Sequence, residues 1–94
     1  MPTLKHDPVQ HRYEVEVVEG FWAHLDYTVQ GEVWSITHTF VPDELRGQGC
    51  GKVLMENVLT DIQAQGKKIR PICSYAVVYL QRHPQWQHLL VSCD

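Results

Sequence analysis

The spacing of apolar residues changes once along this 94-residue chain, and the change falls at Pro42. Before Pro42, apolar and polar residues alternate, a pattern that is typical of half-buried β-strands. After it, apolar residues recur at the three- and four-residue spacing of one helix face. The residues with this second spacing are Leu54, Met55, Val58, Leu59 and Ile62. We therefore expect strands first and a covering helix second.

Three strands are predicted ahead of that helix, near residues 12–17, 21–30 and 32–41. The third is also rich in β-branched and aromatic residues, which favour strands. Short glycine-containing turns separate the three segments, so we predict an antiparallel meander. Residues 1–10 lack this pattern, and we expect them to form a loosely ordered lead-in.

The last third of the chain is predicted to add a strand and a second helix. Residues 67–74 are apolar enough for a fourth strand, although Pro71 argues against an unbroken central one. A helix is expected over residues 75–82, and residues 89–91 are expected to form a last edge strand. The strand–helix–strand connection predicts a right-handed crossover between parallel strands. Together these elements give an α/β (α+β) fold with helices covering one sheet.

Composition and charge limit the class of protein and its partners. The apolar fraction of 44% is ordinary for a globular protein, and the length allows a single domain over residues 1–94. The net charge of -3 argues against a nucleic-acid partner, which needs clustered Lys and Arg. No apolar run approaches the ~20 residues that span a bilayer, and the amino terminus lacks the apolar core of a signal peptide. We therefore expect a cytoplasmic protein with no membrane partner.

The cysteines point to the same compartment. Cys50, Cys73 and Cys93 are odd in number and contain no C-x-x-C pair. This favours free thiols in a reducing compartment over a disulfide framework. The cysteines and histidines also lack zinc-ligand spacing, so no metal site is expected.

A glycine-rich loop, Arg46–Lys52, lies where the third predicted strand gives way to the long helix. A helix amino terminus has free N–H groups and a partial positive charge, and glycines let a pyrophosphate approach the backbone. The Gly51-Lys52 pair is not a Walker A motif, because the upstream glycine and the following Ser or Thr are missing. The spacing G-x-G-x-G also differs from the dinucleotide fingerprint. The remaining pattern is R-x-x-G-x-G, and the competing interpretation is a glycine-rich turn with no ligand.

This loop resembles the acetyl-CoA pyrophosphate loop of the GNAT superfamily. Three further segments, His38–Pro42, Pro71–Tyr75 and Arg82–Pro84, occur in the order that is seen in the small single-domain YjdJ-type GNAT-like N-acetyltransferases. The resemblance extends from about residue 13 to residue 90. It implies a minimal GNAT fold, in which an antiparallel β-meander is followed by helix–strand–helix around an acetyl-CoA cleft. It also implies transfer of an acetyl group from acetyl-CoA, as co-substrate, to a primary amine.

The resemblance assigns the cofactor-binding residues. Backbone groups of Phe40 and Val41 are expected to pair with the pantetheine arm, as an added strand would. The backbone N–H groups of the loop and first helical turn are expected to hold the pyrophosphate. These loop residues are Arg46, Gly47, Gln48, Gly49, Cys50, Gly51 and Lys52.

The catalytic base is not supplied by the usual residue. Many larger members of the superfamily place a glutamate on the strand before the loop, and this strand offers serine, threonine and histidine instead. His38 is the candidate base, because the histidine pKa is close to neutral. On a straight strand, His38 would share the face of Trp34 and Ile36 and lie in the core. A β-bulge would instead redirect it.

Cys73 and Tyr79 are the other catalytic candidates. Cys73 ends the strand expected opposite the loop, where it would line the cleft or act as a nucleophile if its pKa were lowered; the alternative is a buried apolar cysteine. Larger members often protonate the departing CoA thiolate with a tyrosine on the following helix. Tyr79 is the first choice for that role and Tyr75 the second, and either could be a core aromatic residue.

Three functions fit these residues. The first is an N-acetyltransferase acting on a peptide, polyamine or small-molecule amine. The second is a non-catalytic acetyl-CoA- or CoA-binding protein that kept the loop and lost the base. The third is a structural domain without a ligand.

Overall fold

The computed structural model describes residues 3–45 and 47–91. Within these ranges the chain forms β1 (Thr3–Asp7), β2 (Arg12–Val18), β3 (Phe21–Gln30), β4 (Val33–Phe40), α1 (Cys50–Ala64), β5 (Lys68–Pro71) and α2 (Ser74–Arg82). Short 3₁₀ helices cover Asp43–Leu45 and Pro84–Leu89. The strands form one sheet in the order β1-β2-β3-β4-β5. This mixed sheet with its helices is an α+β fold, as predicted.

The predicted meander is confirmed as β2, β3 and β4, which pair antiparallel in sequence order. Tight turns at Gly20 and Gly31 join these strands, and both glycines have positive φ. The expectation of a loosely ordered lead-in was wrong for residues 3–7, because β1 pairs antiparallel with β2 along its whole length, and residues 1–2 lie outside the described residues. His6 anchors this strand: its ring stacks on Tyr13 at 4.1 Å, and its Nε2 lies 2.5 Å from Tyr27 Oη.

The core lies between one face of the sheet and α1. The apolar residues predicted for the helix face are all fully buried, and they pack with inward side chains of β2 and β3. The sheet residues of this core are Tyr13, Val15, Ala23, Leu25 and Tyr27. Tyr13 Oη also donates a hydrogen bond to Asp61 Oδ2 at 2.6 Å, which ties β2 to α1.

The crossover through α1 returns the chain parallel to β4, as predicted. Ile69 of β5 lies opposite Trp34, and β5 ends at Pro71. The predicted second helix is α2, and it contacts β4 and β5. The predicted edge strand at 89–91 was wrong: residues 84–89 form a 3₁₀ helix, and Leu90 makes an isolated bridge to Ile69. Neither helix in the described ranges has the length and apolar character to cross a membrane.

Candidate functional site

A β-bulge interrupts the pairing of β4 with β3. Asp26 lies opposite His38, whereas the next residue, Tyr27, lies opposite Ile36. Thr37 is therefore the extra residue of the bulge. Because side chains alternate along a strand, one extra residue moves every later side chain to the opposite face.

The bulge decides which side chains of β4 reach solvent. Ile36, before it, is fully buried. Beyond it, Thr39 lies opposite the buried Leu25, and the side chains of His38 and Phe40 are exposed. The straight-strand interpretation, with His38 in the core, is thus wrong, and the bulged one is confirmed.

A cleft of about 530 Å³ opens beside the end of β4. Residues 38–41 line one side, Leu45 and Gly47 contribute from the loop, and residues 49–52 form the first turn of α1. Tyr75, from the first turn of α2, lines it as well. The structure therefore brings together most of the residues that were predicted to hold the cofactor. Arg46 lies outside the described residues.

The splitting of β4 from β5 forms this cleft. The two strands pair only as far as Ile36, which lies opposite Pro71. The N–H groups of Ile72 and Cys73 then both donate to the Ile36 carbonyl, at 2.9 Å each, and the chain turns into α2. On the side of β4 that faces β5, no strand of the described ranges continues past Ile36, so the backbone edge leading to Val41 is unpaired on that side.

The loop needs glycine at two positions for conformational reasons. Gly47 and Gly49 have φ angles of 80° and 77°, in the left-handed region that side chains disfavour. Gly49 immediately precedes α1, and the first helical bond runs from Val53 N to Gly49 O at 3.3 Å. The N–H groups ahead of that bond lie at the positive end of the helix dipole and are suited to an anion. These N–H groups belong to Cys50, Gly51 and Lys52.

Side chains of the loop region have separate roles. Cys50 is buried, and Gln48 Nε2 donates to Glu44 O at 3.2 Å. Lys52 is exposed, with its Nζ 3.7 Å from Glu56 Oε1. An exposed pair of this kind is weak, so the ammonium group is free to turn towards an anion in the cleft.

Tyr75 is the tyrosine of the cleft. Its hydroxyl lies so close to Gly51 that a methyl group there would overlap it. Burial raises the pKa of the Tyr75 phenol, so the hydroxyl stays protonated at neutral pH.

Tyr79, the first choice from sequence, is elsewhere. One turn further along α2, it is 4% exposed and packs in the core with Ala76 and Leu80. Its ring stacks on His83 at 3.9 Å, and its buried hydroxyl has no hydrogen-bond partner in the described part of the chain. Burial also raises its pKa. The structure thus places the second choice, Tyr75, at the cleft and the first in the core.

Cys73 is half-buried immediately before α2. Its Sγ lies 3.5 Å from Oγ1 of Thr39, which lines the cleft, whereas Cys73 itself is not among the described residues that line it. Burial alone would raise the pKa of the Cys73 thiol, but the Thr39 hydroxyl and the amides of Ala76 and Tyr75 outweigh burial and lower it. The amides act through their dipoles, since neither completes a capping hydrogen bond to the sulfur.

His24 is a neighbour of the cleft that the sequence analysis missed. Its ring stacks on Phe40 at 5.1 Å and lies 5.9 Å from the ring of His38. Burial first, and then the nearby Arg12, lower the pKa of His24, although Asp26 opposes them. The available signal was the alternation of β3, which puts His24 on the polar face next to β4. In residues 3–45 and 47–91, no three His, Cys, Asp or Glu side chains are grouped to hold a metal ion.

Comparisons with known proteins agree with this architecture. Residues 12–89, more than half of the chain, match the family model described as GCN5-related N-acetyl-transferase. The solution NMR structure of a GCN5-like candidate N-acetyltransferase from Staphylococcus aureus is similar, with a TM-score of 0.72. The two sequences are 27% identical, and the alignment covers 98% of this chain and 90% of that chain.

Proposed function

The chain belongs to the GCN5-related N-acetyltransferase family and is an N-acetyltransferase, and on this premise we propose that it binds acetyl-CoA in the cleft beside β4 and transfers the acetyl group to a primary amine. The observation that carries the proposal is the glycine loop. Two left-handed glycines lead directly into the open amino terminus of α1, at one end of the cleft. That arrangement suits a pyrophosphate, which needs close backbone approach and several N–H donors.

The remaining length of the cleft suits the rest of the cofactor. The unpaired edge of β4 offers backbone groups up to Phe40 and Val41, and an extended pantetheine arm can pair with such an edge as a strand does. Loop residues Arg46–Lys52 would hold the pyrophosphate. In this pose the far end of the cleft, where the acetyl group would lie, is near Thr39 and Cys73.

Acetyl-CoA supplies an acetyl group that is activated as a thioester. Transfer forms a C–N bond and breaks the C–S bond, while the amine loses one proton and the departing thiolate gains one. His38 is exposed at the cleft and can accept the amine proton. Tyr75 holds its proton at neutral pH and is the cleft residue that can donate to the thiolate. Cys73 is proposed as a packing neighbour of the acetyl group, with a covalent role as the alternative.

The acceptor is proposed to be an exposed amine on a peptide, a polyamine or a small molecule. The cleft is lined largely by the segments that are proposed to bind the cofactor, and the small size of the domain favours a shallow approach for the acceptor. The net charge of -3 suits an approaching ammonium better than a nucleic acid. We propose a single domain that acts in the cytoplasm without a membrane partner.

A non-catalytic acetyl-CoA-binding protein is the second candidate. One observation favours it, namely that β4 carries no carboxylate at the positions that reach the cleft. Turnover separates the two functions, because both require cofactor binding.

Calorimetry with acetyl-CoA, followed by an acetylation assay on a panel of amines, tests the proposal. We expect one site per chain, and we expect Gly49→Asp to abolish it by placing a carboxylate at the pyrophosphate position. Gly20→Asp is the matched control, since Gly20 also has positive φ and open space around it but lies in the turn between β2 and β3. Equal affinity in both variants would contradict the cofactor site. Binding without acetylation of any amine would favour the second candidate.

A further inference from the structure

The contact between Thr39 and Cys73 joins two segments that are 34 residues apart in sequence. Thr39 lies on β4 beyond the bulge, and Cys73 lies between β5 and α2. The contact spans the point at which these two parts of the chain separate to open the cleft.

The bulge at Thr37 is what makes this contact possible. Without the extra residue, the side chain of residue 39 would point to the same face as that of the exposed Thr37. With it, Thr39 turns towards the core side, opposite Leu25, while also lining the cleft. The hydroxyl therefore lies between the sheet and the residue that begins α2.

We propose that Thr39 is a positioning residue whose hydroxyl holds the Cys73 sulfur beside the acetyl end of the cleft. This inference rests on the proposed function, because acetyl-CoA defines which end of the cleft receives the acetyl group. It assigns Thr39 a role that its sequence position alone does not indicate.

The Thr39 hydroxyl affects the ionisation of the Cys73 thiol by donating a hydrogen bond to its sulfur. A hydroxyl can donate to a thiol or to a thiolate, and the bond to the charged sulfur is the stronger one. The Thr39 hydroxyl thus favours the ionised form, and the amides at the start of α2 act in the same direction. Together they offset the rise in the pKa of the Cys73 thiol that burial alone would cause. The sulfur consequently lies against Thr39, at the edge of the cleft, rather than among the residues that line it.

The test measures the rate at which iodoacetamide alkylates Cys73 between pH 6 and pH 10, without ligand and mapped by peptide so that Cys50 and Cys93 are counted separately. Thr39→Val keeps the shape of the side chain and removes the hydroxyl. We expect it to react about three- to tenfold more slowly at pH 7, because less thiolate is present, and to reach its plateau at higher pH. Thr39→Ser restores a hydroxyl and should react like the wild type.

Thr37→Val is the matched control. It removes a hydroxyl from the same strand, one that bonds to the Asp26 carbonyl at 3.3 Å instead of to the sulfur. An unchanged pH profile in Thr39→Val, or an equal change in Thr37→Val, would overturn the role of Thr39.

A second arm adds saturating CoA to the wild type, which should slow alkylation of Cys73. Unchanged labelling in a chain that calorimetry shows to be loaded would place the sulfur away from the acetyl end and overturn the proposal. Failure of the wild type to bind CoA at all would overturn the proposed function, whereas the pH profile, measured without ligand, decides the role of the hydroxyl independently.

Discussion

The hydroxyl of Tyr75 occupies the space that a side chain at position 51 would need. Gly51 is in the first turn of α1 and Tyr75 in the first turn of α2, so the two helices begin side by side at the cleft. Gly51 therefore leaves room for the Tyr75 ring, and its role differs from that of the two loop glycines, which are needed for their backbone conformation.

This contact predicts that Gly51→Ala weakens acetyl-CoA binding. The added methyl group would displace the Tyr75 ring, which lines the cleft, and the cost to stability should be small because the displaced atoms are at the free end of a side chain. Removing the ring should remove the conflict, so the same change made in a Tyr75→Ala background should have a smaller effect. A double-mutant cycle with calorimetry measures the difference. Additive effects on affinity would show that the two residues act independently.

The two tyrosines of α2 should separate activity from stability. Tyr75→Phe removes the proton donor proposed at the cleft and should lower turnover while leaving acetyl-CoA affinity nearly unchanged. Tyr79→Phe removes a buried hydroxyl that completes no hydrogen bond in the described ranges but interacts with the Trp86 indole, so stability should change by no more than about 1 kcal/mol. Steady-state kinetics and urea denaturation of both variants check this. Loss of turnover in Tyr79→Phe alone would return the proton-donor role to Tyr79.

His38→Ala should lower turnover with little effect on melting temperature or cofactor affinity. Its side chain is exposed beyond the bulge, so truncation leaves no cavity. His88→Ala is the control, because His88 is an exposed histidine on the distant 3₁₀ helix. Initial rates of both variants and of the wild type check this. Normal turnover in His38→Ala would exclude it as the base.

The sequence predicted the elements whose periodicity is strong and long. These elements are β2, β3, β4 and α1. Each buries a complete face, and the spacing of its apolar residues shows which residues form that face. β1 was not, since only Leu4 in it is aliphatic and His6 fills the second inward position. A histidine at a core position adds nothing to the apolar periodicity of the sequence, although its three aromatic neighbours stabilise it there.

The candidate site was predictable in part for a similar reason. The loop could be located because glycine spacing and the strand–helix junction are local features. The orientation of His38 depended on a bulge, which follows from pairing with a different strand. The choice between Tyr75 and Tyr79 depended on how far α2 extends from the cleft, and that distance is set by the packing of α2 on β4 and β5.

The last prediction concerns pH and the anchoring of β1. Burial lowers the pKa of His6; Asp61 and Asp7 oppose the shift, and His11 adds to it. From the other elements, Tyr13, Tyr27 and Trp34 surround the ring, and its Nε2 is bonded to the Tyr27 hydroxyl. The folded chain therefore holds a neutral imidazole.

The sign of the pH effect follows from this lowered pKa. In the unfolded chain His6 titrates near pH 6.5, so on acidification the unfolded state takes up its proton first. Stability contributed at this site is complete above about pH 6.5 and falls as the pH drops from there towards the folded pKa. His24, whose pKa is also lowered, adds a loss of the same sign.

His6→Gln isolates the contribution of His6. Glutamine can accept the Tyr27 hydroxyl bond but does not titrate, and His24 is the same in both proteins, so its effect cancels. Urea denaturation at pH 7.5 and pH 5.5 should show that the wild type loses more free energy of unfolding than the variant. Hydrogen exchange of the β1 amides should rise with acid in the wild type and less in His6→Gln, because burial disfavours the charged ring that acid creates in the anchor of this strand. Equal losses in the two proteins would mean that acid acts on the fold elsewhere, and β1 would then be held mainly by its backbone pairing with β2.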